Sequence, residues 1–304
     1  MKFMKYGIIG TGAIGGFYGG KLAHAGMDVH FLLHKDYEYV CEHGLQVDSC
    51  DGSFHLDHVN AYRQTADMPV CDVVLVCLKS VNNHLLSELL SPLLDSHTVV
   101  VMIENGIGIE DDVQQMFPEV QLVAGLAFIC SAKTKPGLVN HQCYGSINLA
   151  NYSCRDADRM QQLVADFVAA GINTRQVEYH EARWKKAVWN MPFNGMTVAL
   201  HTQTDLLLKN KSTRHLIREQ MMEVVTTAQH LGVKNIDESF VDKMIEMTDA
   251  MTPYSPSMRL DYDFHRPMEI YYIYSRPLEI AREADCRMSK LEMLEAELRF
   301  LETD

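Results

Sequence analysis

The sequence predicts an α/β protein: an open, doubly wound sheet in the first half and an all-helical domain in the second. Three observations carry the prediction. Apolar runs of strand length alternate with helical patterns through the first half of the chain. Cys71 to Leu78 (CDVVLVCL), the clearest of these runs, is continuously apolar after Asp72 and does not alternate, as suits parallel strands covered on both faces. After about Tyr179 every apolar pattern has the helical period and strand signals vanish. The boundary therefore falls between residues 1–178 and 179–304, with no Gly/Ser-rich linker.

Taken in order, Tyr6 to Gly10 and Val29 to Leu33 read as strands around a helix from Ile14 to Ala25, which Gly26 ends. Leu45 to Val59 reads as a small hairpin turning at Asp51-Gly52. The strand CDVVLVCL precedes a helix ending near Leu94 and a strand from Thr98 to Ile103. Gln121 to Ile129 and Gly137 to Leu149 add two strands, and a helix from Arg155 to Ala170 leads to a last strand near Asn173 to Val177. Helices follow over Ala182 to Leu200, Thr213 to Leu231, Ser239 to Met251, Met268 to Ala284 and Ser289 to Leu301. No internal repeat interrupts the pattern.

Composition narrows the function classes. A chain of 304 residues, 47% hydrophobic and 22% charged, has enough apolar material for two cores and too much for disorder. A formal net charge of −13 opposes non-specific binding to nucleic acid or anionic membranes, so an anionic ligand needs a local cluster of positive charge. The eight cysteines are scattered without a CxxC pair, as expected of reduced thiols in a cytoplasmic protein. Lys2 and Lys5 before an apolar stretch, with Ala23-His24-Ala25, imitate a secretory signal. Seven glycines from Gly7 to Gly20 suit no such segment, and no later stretch reaches the roughly 20 apolar residues of a membrane span. The 14 histidines form no HExxH or comparable cluster, so no metal is expected. Methionines such as Met221, Met222, Met244, Met247 and Met251 read as core filling. The amphipathic run Lys290 to Leu301 packs on the second domain or forms a subunit contact, leaving monomer and homodimer both open.

The chemistry starts at Gly10-Thr11-Gly12-Ala13-Ile14-Gly15, a G-x-G-x-x-G sequence directly after a strand and opening a helix. The first glycine allows the tight turn, the second lets backbone N–H groups approach a pyrophosphate, and the third allows close helix packing. The helix start adds unpaired donors and partial positive charge. In that context the six residues predict a Rossmann-type dinucleotide-binding domain over 1–178. NAD-selective folds place an acid about 20 residues beyond the glycines, where this chain has Leu33-His34-Lys35. His34 and Lys35 favour the 2′-phosphate of NADP; the alternative is a solvated loop with Asp36 on the ribose. Lys79 and Asn105 follow consecutive strands, at the carboxyl edge where ligands of open α/β sheets bind. Equally, Lys79 suits a surface lysine and Asn105-Gly106 a plain turn.

In the second domain, Lys186, Asn190 and Asn194 recur at i, i+4 and i+8 and share one helix face inside apolar sequence. Unpaired buried amides cost about 1–3 kcal/mol each, so the two asparagines bond either another helix or a ligand. Pro192 removes one helical hydrogen bond and is expected to kink the helix near Asn190.

GxGxxG, CLKS, ENGIG, Trp184-x-Lys186-x-x-x-Asn190-x-x-x-Asn194, Ser257-Met258 with Asp261, and Arg266-Pro267-Met268-Glu269 occur in that order along nearly the whole chain. In this the sequence resembles the ketopantoate reductase family. The resemblance implies an NADP-dependent oxidoreductase acting on a small 2-keto acid, with 2-dehydropantoate reduced to pantoate, and residues 179–304 as the substrate and catalytic domain. It implies that Lys186 is the general acid at the substrate carbonyl and that Asn190, Asn194 and Ser257 bind substrate. Asn105 then touches both nicotinamide and substrate, Lys79 lies at the cofactor, and Glu269 holds a substrate hydroxyl or the nearby cofactor. Hydride delivery to a keto carbon generates an alkoxide, which an ammonium stabilises and protonates. A free lysine titrates near 10.4, so a neighbouring cation, for which Lys185 is one candidate, makes it a better donor at neutrality. Three features depart from the family pattern: His34 where arginine is common, Glu104 where a neutral residue is usual, and a last stretch in which 271–277 lacks its usual glycine and Cys286 to Ser289 a customary proline. They leave open a paralogue acting on a different keto acid, or a silent NADPH-binding sensor.

Overall fold

The computed structural model describes residues 4–303, so Lys2 lies outside the described residues. The chain forms two compact units. One takes the chain through Glu104 and then Ile109–Tyr179; the other joins Asn105–Gly108 to the chain from His180 onward.

The first unit contains β1 (Lys5–Ile9), α1 (Ala13–His24), β2 (Asp28–Leu32), α2 (Tyr37–His43), β3 (Leu45–Ser49), β4 (Phe54–Leu56), β5 (Asn60–Tyr62), β6 (Val73–Val76), α3 (Leu86–Leu90), β7 (Val99–Met102), α4 (Ile109–Met116), β8 (Gln121–Lys135), β9 (Leu138–Asn151), α5 (Ala157–Ala169) and β10 (Thr174–Val177). The strands build one sheet in the order β4-β3-β9-β8-β7-β6-β1-β2-β5, with β10 beside β9. Its centre is parallel from β8 through β7, β6 and β1 to β2 and β5. The uniformly apolar β6 (VVLV) and β7 (VVVM) are buried at every residue, as their lack of alternation predicts. Helix α1 survives its glycines because they bring it close to the sheet: a methyl on Gly16 would lie 2.7 Å from Val139, and one on Gly19 2.7 Å from Phe31.

Several expectations needed correction. The strands expected over Gln121 to Ile129 and Gly137 to Leu149 run on to Lys135 and Asn151 and pair antiparallel, so the sheet is mixed. The helix expected to end near Leu94 is a 3₁₀ turn at Ser80–Leu85, the short α3, and a further 3₁₀ turn at Ser91–Leu93 around Pro92. Helix α2 and helix α4 were not foreseen: α2 buries only Val40, and α4 is eight mostly polar residues long, although Ile109, Val113 and Met116 keep the helical spacing.

The second unit consists of α6 (Tyr179–Ala199), α7 (Thr204–Lys209), α8 (Lys211–His230), α9 (Glu238–Asp249), α10 (Ser257–Asp263), α11 (Arg276–Glu283) and α12 (Ser289–Glu302). Met221, Val224, Leu278, Leu291, Leu294 and Leu298 lie in its core. The amphipathic run at 290–301 therefore packs on its own unit, and Glu223 of α8 accepts the Lys290 and Leu291 N–H groups to cap α12. Met221 is buried as expected, whereas Met247 is 40% exposed. The single helix expected over Met268 to Ala284 is divided: Tyr271–Ser275 form a wide π-type turn, and α11 starts only at Arg276. Helices α7 and α10, of six and seven residues, are too short to have shown a period. Among the described residues, no helix is long and apolar enough to cross a membrane. Cys50 and Asp51 meet His141, distant in sequence, with ligand atoms within 4.8 Å of one another in the first unit; His141 Nδ1 there lies 2.8 Å from Ser49 Oγ.

Candidate active site

The chain from β1 turns sharply into α1. Gly10 sits at φ +89°, and a methyl on it would come within 2.8 Å of the Cys77 carbonyl. The Gly12 N–H donates to the Gly10 carbonyl at 2.7 Å, closing the turn. A methyl on Gly15 would collide with the Gly10 carbonyl oxygen and stand 2.9 Å from Ile8. A methyl on Gly12, by contrast, would meet nothing within 4 Å. Two of the three motif glycines are thus fixed by sterics, while the middle one borders open space beside the unpaired N–H groups of the first helical turn. That open cradle fits a pyrophosphate.

Side chains clamp this turn. Thr11 Oγ1 donates to the Leu32 carbonyl at 2.8 Å, Ser131 Oγ to the Ala13 carbonyl at 3.2 Å and Lys133 Nζ to the Thr11 carbonyl at 2.8 Å. Lys133 also forms an ion pair with Asp36. Asp36 is buried and accepts the Gly137 N–H at 3.2 Å. Next to it, His34 and Lys35 are exposed. Lys79, half-buried, precedes the 3₁₀ turn after β6. Glu104 is buried, and its Oε2 accepts from Asn83 Nδ2 at 2.9 Å, so an amide holds the unusual carboxylate. Burial pushes the Cys77 thiol well above its ordinary range and keeps it neutral beside the turn.

In the second unit, α6 lines a narrow pocket of about 10 Å³, room for about one water, together with Gly106, Ile107, Tyr272 and Ile273. Lys186 and Asn190 both face it, one helical turn apart, along with Arg183. Asn190 is 9% exposed and has no hydrogen-bond partner among the described residues. Asn194, four residues on, lies outside the pocket lining. Its Oδ1 is 3.4 Å from the Met258 N–H and ties α6 to the start of α10, where Ser257 is the first residue. The stripe read from sequence therefore divides: Lys186 and Asn190 line the pocket, and Asn194 bonds the start of α10. Pro192 lies inside α6, and Tyr274 Oη donates to the neighbouring Met191 carbonyl at 2.5 Å.

Asn105 belongs with this unit. Gly106, at φ +128°, packs so tightly that a methyl would stand 2.5 Å from the Tyr272 carbonyl oxygen. The Ile107 N–H donates to that same oxygen at 2.9 Å. Glu269 is buried one turn before pocket-lining Ile273. Lys185 does not line the pocket: its Nζ bonds Glu181 Oε1 at 2.6 Å. Lys185 and Asn235 together hold the Glu181 carboxyl below its usual range.

Sequence reasoning passed over Arg183 and Lys133. Arg183 was detectable, standing three residues before Lys186 and hence on the same face. Lys133 was not, because it lies on a part of β8 beyond the expected end of that strand.

Two family models match: "Ketopantoate reductase PanE/ApbA" over residues 6–153 and "Ketopantoate reductase PanE/ApbA C terminal" over 178–302. A 2-dehydropantoate 2-reductase of Nostoc sp. is 44% identical, the match covering 99% of this chain and 96% of the relative. The crystal structure of a 2-dehydropantoate 2-reductase from Geobacter metallireducens is similar with a TM-score of 0.94 at 38% identity, covering 98% of this chain and 99% of that one. A second, from Methylococcus capsulatus, superposes with a TM-score of 0.90 at 33% identity, over 99% and 97% of the two chains.

Proposed function

The chain belongs to the ketopantoate reductase family of oxidoreductases, and on that premise we propose that it reduces 2-dehydropantoate to pantoate with NADPH, Lys186 acting as general acid. The observation that carries the reading is the pocket in which Lys186 and the unpartnered amide of Asn190 face the same space. An amide that lines a pocket without a protein partner has a ligand as its natural partner.

The residues suited to hold the dinucleotide are Gly10, Thr11, Gly12, Ala13, Ile14 and Gly15, with Lys79, which follows β6 in the chain, and Asn105, which follows β7 in the chain. The exposed His34 and Lys35, beside an Asp36 already engaged elsewhere, suit a 2′-phosphate. When bound, the nicotinamide supplies the hydride that reduces the carbonyl carbon. Lys186 donates its Nζ proton to the carbonyl oxygen as negative charge develops there. Asn190 orients the substrate through its amide. Ser257 and Asn194, at the α6–α10 junction, and buried Glu269 complete the binding residues. Reduction at a small polar site suits a cytoplasmic biosynthetic enzyme.

The test follows NADPH absorbance with purified protein and a panel of 2-keto acids. Ketopantoate is the expected substrate, and Lys186→Ala lowers kcat by about 10²–10⁴-fold with NADPH affinity retained. Turnover of another keto acid alone would move the protein to a different substrate, and binding without turnover would make it a sensor.

A further inference from the structure

We propose that Lys133 sets the cofactor preference of this protein by sequestering Asp36, an acid just after β2. The inference rests on the dinucleotide reading above and adds a residue which that reading does not contain. Asp36 follows β2 one or two positions beyond the place from which NAD-selective folds bond the ribose hydroxyls, and it is the acid that would take that role. Left free, its carboxylate would both accept those hydroxyls and repel a 2′-phosphate. Here it is buried, paired with Lys133 Nζ and bonded by the Gly137 N–H. It starts α2 without capping it, so its side chain is committed to β8 and the turn after β8 and not to its own helix. Lys133 spends a further donor on the Thr11 carbonyl, inside the glycine turn itself. One ammonium therefore fixes the phosphate cradle, cancels the competing acid and leaves His34 and Lys35 as the exposed side chains at the end of β2.

Two effects can be separated. Tying down the turn serves NADH and NADPH equally, whereas cancelling Asp36 serves only the cofactor bearing the extra phosphate. The informative quantity is thus the ratio of dissociation constants, measured by fluorescence titration of NADPH and NADH without substrate. Lys133→Met shifts the ratio about tenfold toward NADH, the equivalent of about 1.4 kcal/mol. Lys133→Arg keeps the wild-type ratio, and adding Asp36→Asn to Lys133→Met restores it. Lys133→Gln retains a donor for Thr11 without the charge and gives the same shift, so misfolding of the Met variant leaves the question decidable. Equal weakening of both cofactors, or a ratio that Asp36→Asn fails to restore, refutes the proposal and leaves the dinucleotide site standing. Wild-type protein that binds neither cofactor refutes both.

Discussion

Gly12→Ala and Gly15→Ala, two substitutions three residues apart, should fail in opposite ways. A methyl at Gly15 would overlap the Gly10 carbonyl oxygen and crowd Ile8 at 2.9 Å and Cys77 at 3.2 Å. Two of these contacts lie in the turn and strand that anchor the sheet, so little can give. Overpacking of this kind costs about 1–3 kcal/mol, more where backbone must shift. The Gly12 methyl meets nothing within 4 Å, so it should cost less stability than the methyl at Gly15. The same methyl, however, stands where a pyrophosphate must approach the first-turn N–H groups. Hydrogen bonds to a charged group contribute about 1.5–3 kcal/mol, so losing one weakens NADPH roughly 10- to 150-fold. Urea unfolding combined with NADPH titration separates the two. The reasoning fails if Gly12→Ala binds NADPH like the wild type, or if it loses as much stability as Gly15→Ala.

Asn190→Ala should leave stability within about 0.5 kcal/mol while raising KM or lowering kcat, whereas Asn194→Ala, by orphaning the Met258 N–H, should cost about 1–3 kcal/mol in urea unfolding. Gly106→Ala would push a methyl onto Tyr272 from a φ of +128°; it should lower the melting temperature and impair turnover together, checked by thermal unfolding alongside NADPH oxidation. His30 and His141 are held below the ordinary imidazole range by burial, so the unfolded chain binds more protons than the folded one. Stability should therefore fall as pH drops through about 6.5, by up to about 1.4 kcal/mol per pH unit and per histidine. In urea titrations across that range His141→Asn should flatten the slope, and an unchanged slope would contradict the assignment.

What the sequence made legible follows from where its signals come from. The central strands showed because burial on both faces removes every polar residue from β6 and β7. The glycine turn showed because sterics allow few substitutes at Gly10 and Gly15. The Lys186, Asn190 and Asn194 spacing located the right helix, but periodicity states only a shared face. It could not say that Asn194 would reach α10 while Asn190 faces the pocket. Lys185 and Arg183 show the same limit: the basic side chain adjacent in sequence points to Glu181, and the one a turn away lines the pocket. The π-type turn at Tyr271–Ser275 was invisible because its residues keep the apolar content of a helix, and only the docking of Gly106 and Ile107 on Tyr272 accounts for its place. The Lys133–Asp36 pair joins residues far apart in sequence, which local patterns do not record.

The central claim is that Lys186 supplies the proton to the reduced carbonyl. Its most direct test is a single-turnover experiment in which enzyme saturated with NADPH is mixed with ketopantoate and the loss of nicotinamide absorbance is timed. The account predicts that Lys186→Ala slows this step by about 10²–10⁴-fold at unchanged NADPH affinity. Equal single-turnover rates for the two proteins would contradict it.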